Sequence, residues 1–419
     1  MHKTDVLILG AGCAGSSLAH HLEQKGYNGS VTLCDSRSSF NSEQRWCTWG
    51  RVPASMAHLV SHRWDEWTII TPSGDVINRS GDFSYSEIYA PDFFKTLHGP
   101  WLDGSSETRL HTGEEVIETK KVREGTVVVT KNHEWLAKTV FDSRFAPNLH
   151  EELKKDAKIF LNQSFLGWKI AFDRPVFFPG RAILMDFRVP ESTALHFIYV
   201  LPYSETEALV ESTSFDREPL PLDIHTIHLR KYIAEYFGAS YRTLSNESGN
   251  LPMSSKRLRP NDSENFVTIG AAAGAIRPSS GYAFHRIQRT TKQIASRLAS
   301  GRSITEVRQA AAKYRLYDNV FLEVIDSDLP GATVHFERLF RTARPDSLTR
   351  FMLDEGSIID DVRVALSVKK LPFIKGIVSV GSRIIAEPIV NSYEKVRAAL
   401  RSSMDRPNNR GSVRTKNGE

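Results

Sequence analysis

The sequence predicts an α/β protein with a doubly wound sheet, an inserted antiparallel β-sheet and a helical C-terminal region. Three observations carry this. An apolar run, DVLIL at 5–9, breaks at a glycine-rich turn and resumes as a helix-spaced segment. Short β-rich segments crowd residues 167–215, separated by Pro, Gly and Ser. From 281 onward apolar residues return at helical spacing. Strict alternation and turn residues mark sheets, whereas three-to-four spacing marks helices.

Taken in order, 5–9 is a strand, 10–15 a turn, and 16–25 a helix with Leu18 and Leu22 on one face. VTLCD at 31–35 is the next strand and ends in an acid. The stretch 36–56, with Trp46 and Trp49, reads as loop. A strand and turn cover 64–75, a helix 90–99, and strands 126–130 and 139–143. GWKIAFDRP, AILMDFRV, HFIYVLPYS and EALVESTSF form the inserted sheet, followed by a helix at 224–237. FVTIGAAAG at 266–274 is a strand entering a second glycine turn, and 281–301 is a helix.

The expected units are 1–60, 111–150 and 246–300 for the doubly wound domain and 61–110 with 151–245 for a β-rich substrate domain. Residues 301–400 are the helical region and 401–419 a polar, disordered tail. A mostly antiparallel sheet of about five to seven strands covers the substrate, a usual size.

The chain has 419 residues, is 40% hydrophobic, and carries 54 Lys and Arg against 49 Asp and Glu, an ordinary globular balance with no basic stripe for nucleic acid. Cys13, Cys34 and Cys47 form no CxxC and no zinc spacing, so neither a disulfide scaffold nor a metal site is expected, and a reducing cytoplasm is. No apolar run is long enough to span a bilayer. His225 and His228, three apart, lack a third ligand and read as surface residues.

Gly10, Gly12 and Gly15 spell G-A-G-C-A-G between a strand and a helix. The first permits a tight turn, the second lets backbone approach a pyrophosphate, and the third lets helix and strand pack closely. The free N–H groups and positive end of the helix then face phosphate. Asp35, twenty residues beyond Gly15, is placed to accept from a ribose hydroxyl. The N-terminal position of the unit and a return at Gly270–Gly274 favour FAD over NAD, making this an FAD-binding Rossmann-type domain.

The later segments QSFLGWKI (163–170), ILMDFRV (183–189), FIYVLPYSETEALVEST (197–213), NESGNLPM (246–253), GAAAGAIRPSSGYAFHRI (270–287), YDNVFLEVI (317–325) and RFMLDE (350–355) come in an order and spacing that resemble the bacterial flavin-dependent lycopene cyclases, over roughly residues 4–375. The resemblance implies FAD in its reduced form, with NADPH as reductant, and no net redox chemistry. It implies that an acid protonates a terminal C=C of lycopene, or of a related linear carotenoid, that a six-membered ring closes, and that proton loss leaves a β-ionone end. Glu211 holds the first position of the family's acidic pair and becomes the proton donor and acceptor. Ser212 stands where the family has its second acid, and Arg277 where it commonly has His before Pro278. Gly270, Gly274, Arg277, Pro278, Gly281 and Tyr282 become cofactor contacts, with Arg277 a cation near the flavin.

Alkene protonation needs an acid kept neutral near pH 7, which burial in an apolar pocket provides. Alternation puts Leu209, Glu211 and Thr213 on one strand face. Glu247, expected on a loop, is the second acidic candidate, and Trp168, Phe187, Tyr199 and Tyr282 are candidate π-faces for a cation. Asp354 and Glu355 read as helix-surface charge. LPFIKGIVSVGSRIIAEPIV (371–390) mixes apolar and basic residues and fits an interfacial helix, so the expected location is cytoplasmic with peripheral contact at the inner face of the membrane. Two rivals share the N-terminal unit. One is a redox flavoenzyme, a monooxygenase or prenyl-chain reductase, disfavoured because such families usually carry Gly-Asp at Gly270-Ala271. The other is a flavin-binding carotenoid carrier without catalysis, supported only by Ser212.

Overall fold

The computed structural model describes residues 1–381 except 51, 146–147, 190–192, 259–262, 264, 305–306 and 308–309. The expected tail and most of the second half of 371–390 lie outside the described residues.

The chain opens with strand β1 (His2–Leu9), helix α1 (Cys13–Gln24) and strand β2 (Val31–Asp35). Leu7, Ile8 and Leu9 are fully buried, as both faces of a parallel strand must be once helices cover them. Strands β3 (Arg45–Trp49), β4 (Val60–Trp64), β5 (Glu66–Thr71), β6 (Gly74–Arg79) and β7 (Tyr85–Tyr89) follow. Next come α2 (Ala90–Asp103), β8 (Arg109–Thr112), β9 (Val116–Val122), β10 (Gly125–Thr130), β11 (Glu134–Asp142) and α3 (Leu149–Lys154). Four more strands follow, β12 (Phe160–Ala171), β13 (Arg181–Asp186), β14 (Leu195–Pro202) and β15 (Glu207–Asp216), then α4 (Leu222–Tyr236) and β16 (Arg242–Ser254). Strand β17 (Phe266–Thr268) leads to α5 (Phe284–Ala299), α6 (Ala312–Ser327), α7 (Thr333–Thr342), α8 (Pro345–Met352) and α9 (Ile358–Ser367). Residues 370–381 are again helical.

Three sheets result. The first has the order β8-β2-β1-β11-β10-β9, with β17 beside β11. Its centre is parallel and its β9–β10 edge is a hairpin. The second has seven strands in the order β16-β12-β15-β14-β13-β5-β6, antiparallel except at β13–β5. The third, β3-β7-β4, is a small antiparallel bridge between them.

The α/β class, the inserted mostly antiparallel sheet and the helical C-terminal region stand as expected. Several details do not. The loop read at 36–56 contains β3, a five-residue strand hidden by its neighbouring polar run. Residues 90–112 join the first sheet through α2 and β8, because β8 pairs with β2. NESGNLPM is strand, not loop: Glu247 lies mid-β16, held by a continuous ladder to β12 that the Gly and Pro signals obscured.

Candidate functional site

Glycine conformation builds the N-terminal turn. Gly10 has φ +90°, a region costly for side chains, and its N–H donates to the Cys34 carbonyl at 2.8 Å. A Cβ at Gly15 would strike the Gly10 carbonyl oxygen, so α1 rests directly on the turn. Gly12 is the N-cap of α1 and offers no side-chain cap, leaving the first N–H groups free. A Cβ at Gly12 would meet only Arg37 Nη2, 3.8 Å away, so the space in front of the helix is open.

Asp35 accepts from the Ala11 N–H at 2.7 Å and pairs with Arg37, also at 2.7 Å. Burial opposes its charge, yet the Arg37 and Ala11 donors outweigh it and hold its carboxyl below the usual carboxylate range. Asp35 therefore braces the turn as well as bordering the site.

A cavity of about 2390 Å³ runs from Gly10, Gly12 and Asp35 past Trp46 and Tyr282 to Glu211, and on to Phe336 and Phe373 in the helical region. Ordinary ligand pockets hold about 300–1,000 Å³, so this one has room for a dinucleotide and a long apolar molecule together. Trp49 Nε1, Gln163 Oε1 and Asn250 Oδ1, all from cavity-lining residues, are buried without a hydrogen-bond partner. Such groups normally find one, and the uncapped helix end adds to the demand. The residues present fit a bound FAD.

Leu209, Glu211, Thr213 and Phe215 share the cavity face of β15, as alternation required. The sheet ladder then sets an unforeseen row. Gly167 of β12 is paired with Glu211 on one side and with Glu247 of β16 on the other, and Tyr199 of β14 is paired with Glu211. Gly167 places no side chain of its own between the two glutamates, and Leu209 Cδ1 reaches to 3.1 Å from where its Cβ would be. A Cβ there would lie 3.3 Å from Glu247 Cγ and 3.4 Å from Glu211 Cβ. Burial pushes the Glu211 carboxyl well above the usual range, and the Glu247 charge adds to this, against smaller opposing effects from Thr213 and Arg45. Glu247 is also raised by burial, with Arg45 pulling it down and Glu87 and Glu43 pushing it up.

The bridge sheet supplies what the sequence reading missed. Arg45 of β3 donates to Glu247 Oε2 at 3.0 Å and stands 3.8 Å from Glu87 of β7. Tyr203 donates to Glu87 at 2.7 Å. Tyr85, also on β7, hydrogen-bonds Tyr199 at 2.8 Å and Tyr282 at 2.7 Å, closing a phenol cluster beside Glu211. Trp49 packs against Tyr85 and Tyr282, and Trp46 against Phe93 and Phe284. Only the bridge strands' own register could reveal this, since Arg45 lies 202 positions from Glu247 in the chain.

Other expected residues are dispersed. Tyr199 and Tyr282 line the cavity. Trp168 does not: it sits on the opposite face of the sheet with the α4 cluster that includes Tyr232. Phe187 packs in the core against Phe197 and Phe336 rather than at the cavity wall. Gly270 and Gly274 hold positive φ in the second turn, where a Cβ at Gly270 would come within 2.7 Å of Ala14 Cβ, and the flanking Ala271 faces the cavity. Pro278 lies outside the lining, whereas Gly281 is within it.

Arg277 borders the cavity, but its guanidinium is taken: it donates to Asp318 at 2.8 Å and to the Phe351 and Met352 carbonyls at 2.9 and 2.8 Å. Asp354 is not surface charge. Its side chain is 1% exposed and bound by Arg286 at 2.6 Å. His225 is likewise fully buried, not on the surface, while His228 is half-buried.

Ser212 points away from Glu211, to the α4 side of the sheet, where its hydroxyl meets His196 Nε2 at 2.9 Å and His225 Nδ1 at 2.8 Å. The second acidic position of the resemblance therefore does not face the cavity here. The partner carboxyl of Glu211 is Glu247.

Fold and site together define a class: a protein with the fold of FAD-binding flavoproteins and a carboxyl pair set over a long apolar cavity. Solved structures agree on the fold. A geranylgeranyl bacteriochlorophyll reductase-like protein from Thermoplasma acidophilum aligns over 90% of this chain and 98% of its own with TM-score 0.58 at 14% identity. The halogenase PltM, solved with phloroglucinol and FAD, aligns over 95% of this chain and 96% of its own, with TM-score 0.57 and 14% identity.

The chain belongs to the lycopene cyclase family: residues 5–377 match the family model described as lycopene cyclase protein. It is 24% identical over 294 residues to a lycopene beta-cyclase of Pantoea ananas, covering 66% of this chain and 70% of that one. It is 25% identical over 321 residues to a lycopene beta cyclase of Synechococcus elongatus, covering 71% and 72%.

Proposed function

We propose that the protein is an FAD-dependent lycopene β-cyclase, an isomerase that closes the acyclic ends of lycopene or a related linear carotenoid by acid–base chemistry. The observation that carries this is Glu211, raised above the usual carboxylate range on the wall of an apolar cavity that begins at an uncapped helix N-terminus. A neutral carboxyl beside an apolar chain can give its proton to an alkene carbon. The neighbouring double bond then attacks the cation, and loss of a ring proton leaves the new C=C. No electron is gained or lost overall. Tyr199, Tyr282 and Tyr85 offer π-faces and oriented phenol dipoles to the cation. FAD held at Gly10, Gly12 and Asp35, if reduced by NADPH, would supply an electron-rich ring able to stabilise positive charge. The carrier reading loses its support, since Ser212 lies behind the catalytic face.

The reading extends to the membrane. Among the described residues no helix is long and apolar enough to cross a bilayer. Ile358, Val362, Leu366, Leu371, Ile374 and Val378 are exposed large hydrophobics, and Leu366 and Ile374 also line the cavity. An insoluble substrate enters most directly where such a surface meets the lipid. This supports a protein that rests on a membrane surface through its C-terminal helices.

The test is expression in a lycopene-making host. A product with a new ring but no added oxygen or hydrogen is expected. Glu211→Gln, which keeps size and hydrogen bonding, should lower ring formation by about 10²–10⁴-fold while flavin stays bound. An oxygenated or hydrogenated product, or one NADPH oxidised per turnover, would overturn the reading in favour of a redox flavoenzyme.

A further inference from the structure

Glu211 and Glu247 face the cavity from the two strands that flank Gly167, and a charge on Glu247 raises the cost of ionising Glu211. The surroundings of the two differ. Glu247 has the Arg45 guanidinium at 3.0 Å, with side-chain exposures of 12% and 7%. Arg45 is itself bracketed by Glu43 and Glu87, and Tyr203 caps Glu87. Among the described residues Glu211 has no cation in contact; its partner is the Thr213 hydroxyl, donating at 2.7 Å, and Tyr282 lies within its electrostatic reach. Among the described residues, the cation in contact with this pair falls on Glu247.

We propose that Glu247, not Glu211, takes up the ring proton, and that Arg45 is the positioning residue that keeps Glu247 ionised while Glu211 keeps its proton. This rests on the cyclase reading above and divides its two proton transfers between two residues. Glu211 gives its proton to the terminal alkene carbon. The π pair of the neighbouring double bond forms the ring C–C bond, which moves the cation onto a ring carbon. The Glu247 carboxylate removes a proton from the adjacent carbon, and that C–H pair becomes the ring double bond. The net result is one proton moved from Glu211 to Glu247. It returns to Glu211 between turnovers, directly or through solvent, and no oxidant or reductant is consumed.

The pair is separable by isotope exchange. The FAD-loaded, reduced protein is supplied with lycopene in vesicles of the host's lipids in D₂O, and both ring product and recovered lycopene are analysed. Glu247→Gln leaves the donor in place and removes the base, so ring formation should fall by about 10²-fold or more. Deuterium should still enter the recovered acyclic chain, because the first cation can revert. Glu211→Gln should give neither ring nor deuterium. Arg45→Met should move the acid-side limb of the pH–rate profile upward by on the order of one unit or more, since a base that has lost its cation needs a higher pH to ionise. Arg45→Lys should restore the limb. The assignment is overturned if Glu247→Gln forms rings at the unsubstituted rate, if it abolishes deuterium entry as well, or if Arg45→Met leaves the profile in place. If the unsubstituted protein forms no ring while exchanging no deuterium, the cyclase reading itself fails and the assignment falls with it.

Discussion

Gly167→Ala tests the carboxyl row with the smallest available wedge. The backbone there is ordinary strand, absent from the positive-φ glycines, so alanine meets no torsional penalty. Its Cβ would stand 3.1 Å from Leu209 Cδ1, 3.3 Å from Glu247 Cγ and 3.4 Å from Glu211 Cβ. Each neighbour must yield by a few tenths of an ångström. Replacing a strand glycine returns about 0.5–1 kcal/mol of backbone entropy, and overpacking costs about 1–3 kcal/mol, so net stability should drop by no more than about 2.5 kcal/mol. The chemistry should suffer more. Misplacing a reacting group by about 1 Å can cost about 10²-fold, so a shift of a fraction of that at both carboxyls should lower ring formation on the order of tenfold. The assays are thermal unfolding of the flavin-loaded protein and ring formation per folded molecule. An alanine variant that unfolds normally and cyclises at the full rate would refute the idea that the two carboxyls work as neighbours across this residue.

Gly12→Val should fold normally, because its nearest obstacle is Arg37 at 3.8 Å, yet fail to retain FAD; full flavin absorbance in the purified variant would contradict the site. Cyclisation should fall as pH rises through the raised Glu211 value, since the donor must be neutral. The same sign applies to stability: a carboxyl whose folded pKa is raised favours the fold below its ordinary range and loses that contribution as pH rises to the folded value of about 8, so Glu211→Gln should flatten the decline in Tm between the usual carboxylate range and that value. Ser212→Asp should not raise ring formation; it places a carboxyl at a fully buried position between His196 and His225 and should cost about 1–3 kcal/mol unless His225 takes a proton. A faster enzyme with unchanged Tm would show that position 212 does reach the cavity.

The N-terminal unit was legible because its signals are local. Gly10, Gly12, Gly15 and Asp35 lie within one βαβ unit, and each glycine's role follows from backbone sterics alone. The cavity face of β15 was legible for a similar reason, since alternation is fixed by the pleat. The same rule held the answer to Ser212, because a residue adjacent to Glu211 on a strand must face the other way. Reading the two as an acidic pair followed the motif rather than the strand. Glu247 and Arg45 were obscured for a different reason. Their partnership depends on which strands lie beside β12 and on a bridge sheet built from segments some 40 residues apart, and no periodicity within either segment encodes that. Trp168 and Phe187 were misplaced because an aromatic in a two-sided sheet has a packing role on either face, and only the position of α4 and the C-terminal helices decides between them.

The buried charges around Arg277 show how the helical region is tied to this chemistry. Arg277 and Arg286 share Asp318, and Arg286 also holds Asp354, whose φ of +58° ends α8 in a left-handed turn. Buried ion pairs seldom outdo apolar packing in net stability, but removing one partner leaves a charge uncompensated at a cost of about 3–5 kcal/mol. An arrangement that separates these partners carries that cost. Here the cluster fixes the loop after β17 against α6 and α8. That loop is closed on itself by the Arg277 N–H to the Tyr282 carbonyl at 2.9 Å and the Gly281 N–H to the Arg277 carbonyl at 2.8 Å. The result is a fixed Tyr282, whose hydroxyl meets Tyr85 beside Glu211. Arg277 serves the site without lending it a free cation. An unpaired cation next to Glu211 would favour the carboxylate and remove the proton the reaction needs. Confining Arg277 and Arg286 to Asp318 and Asp354, and Arg45 to Glu247, leaves Glu211 without a direct cation contact among the described residues.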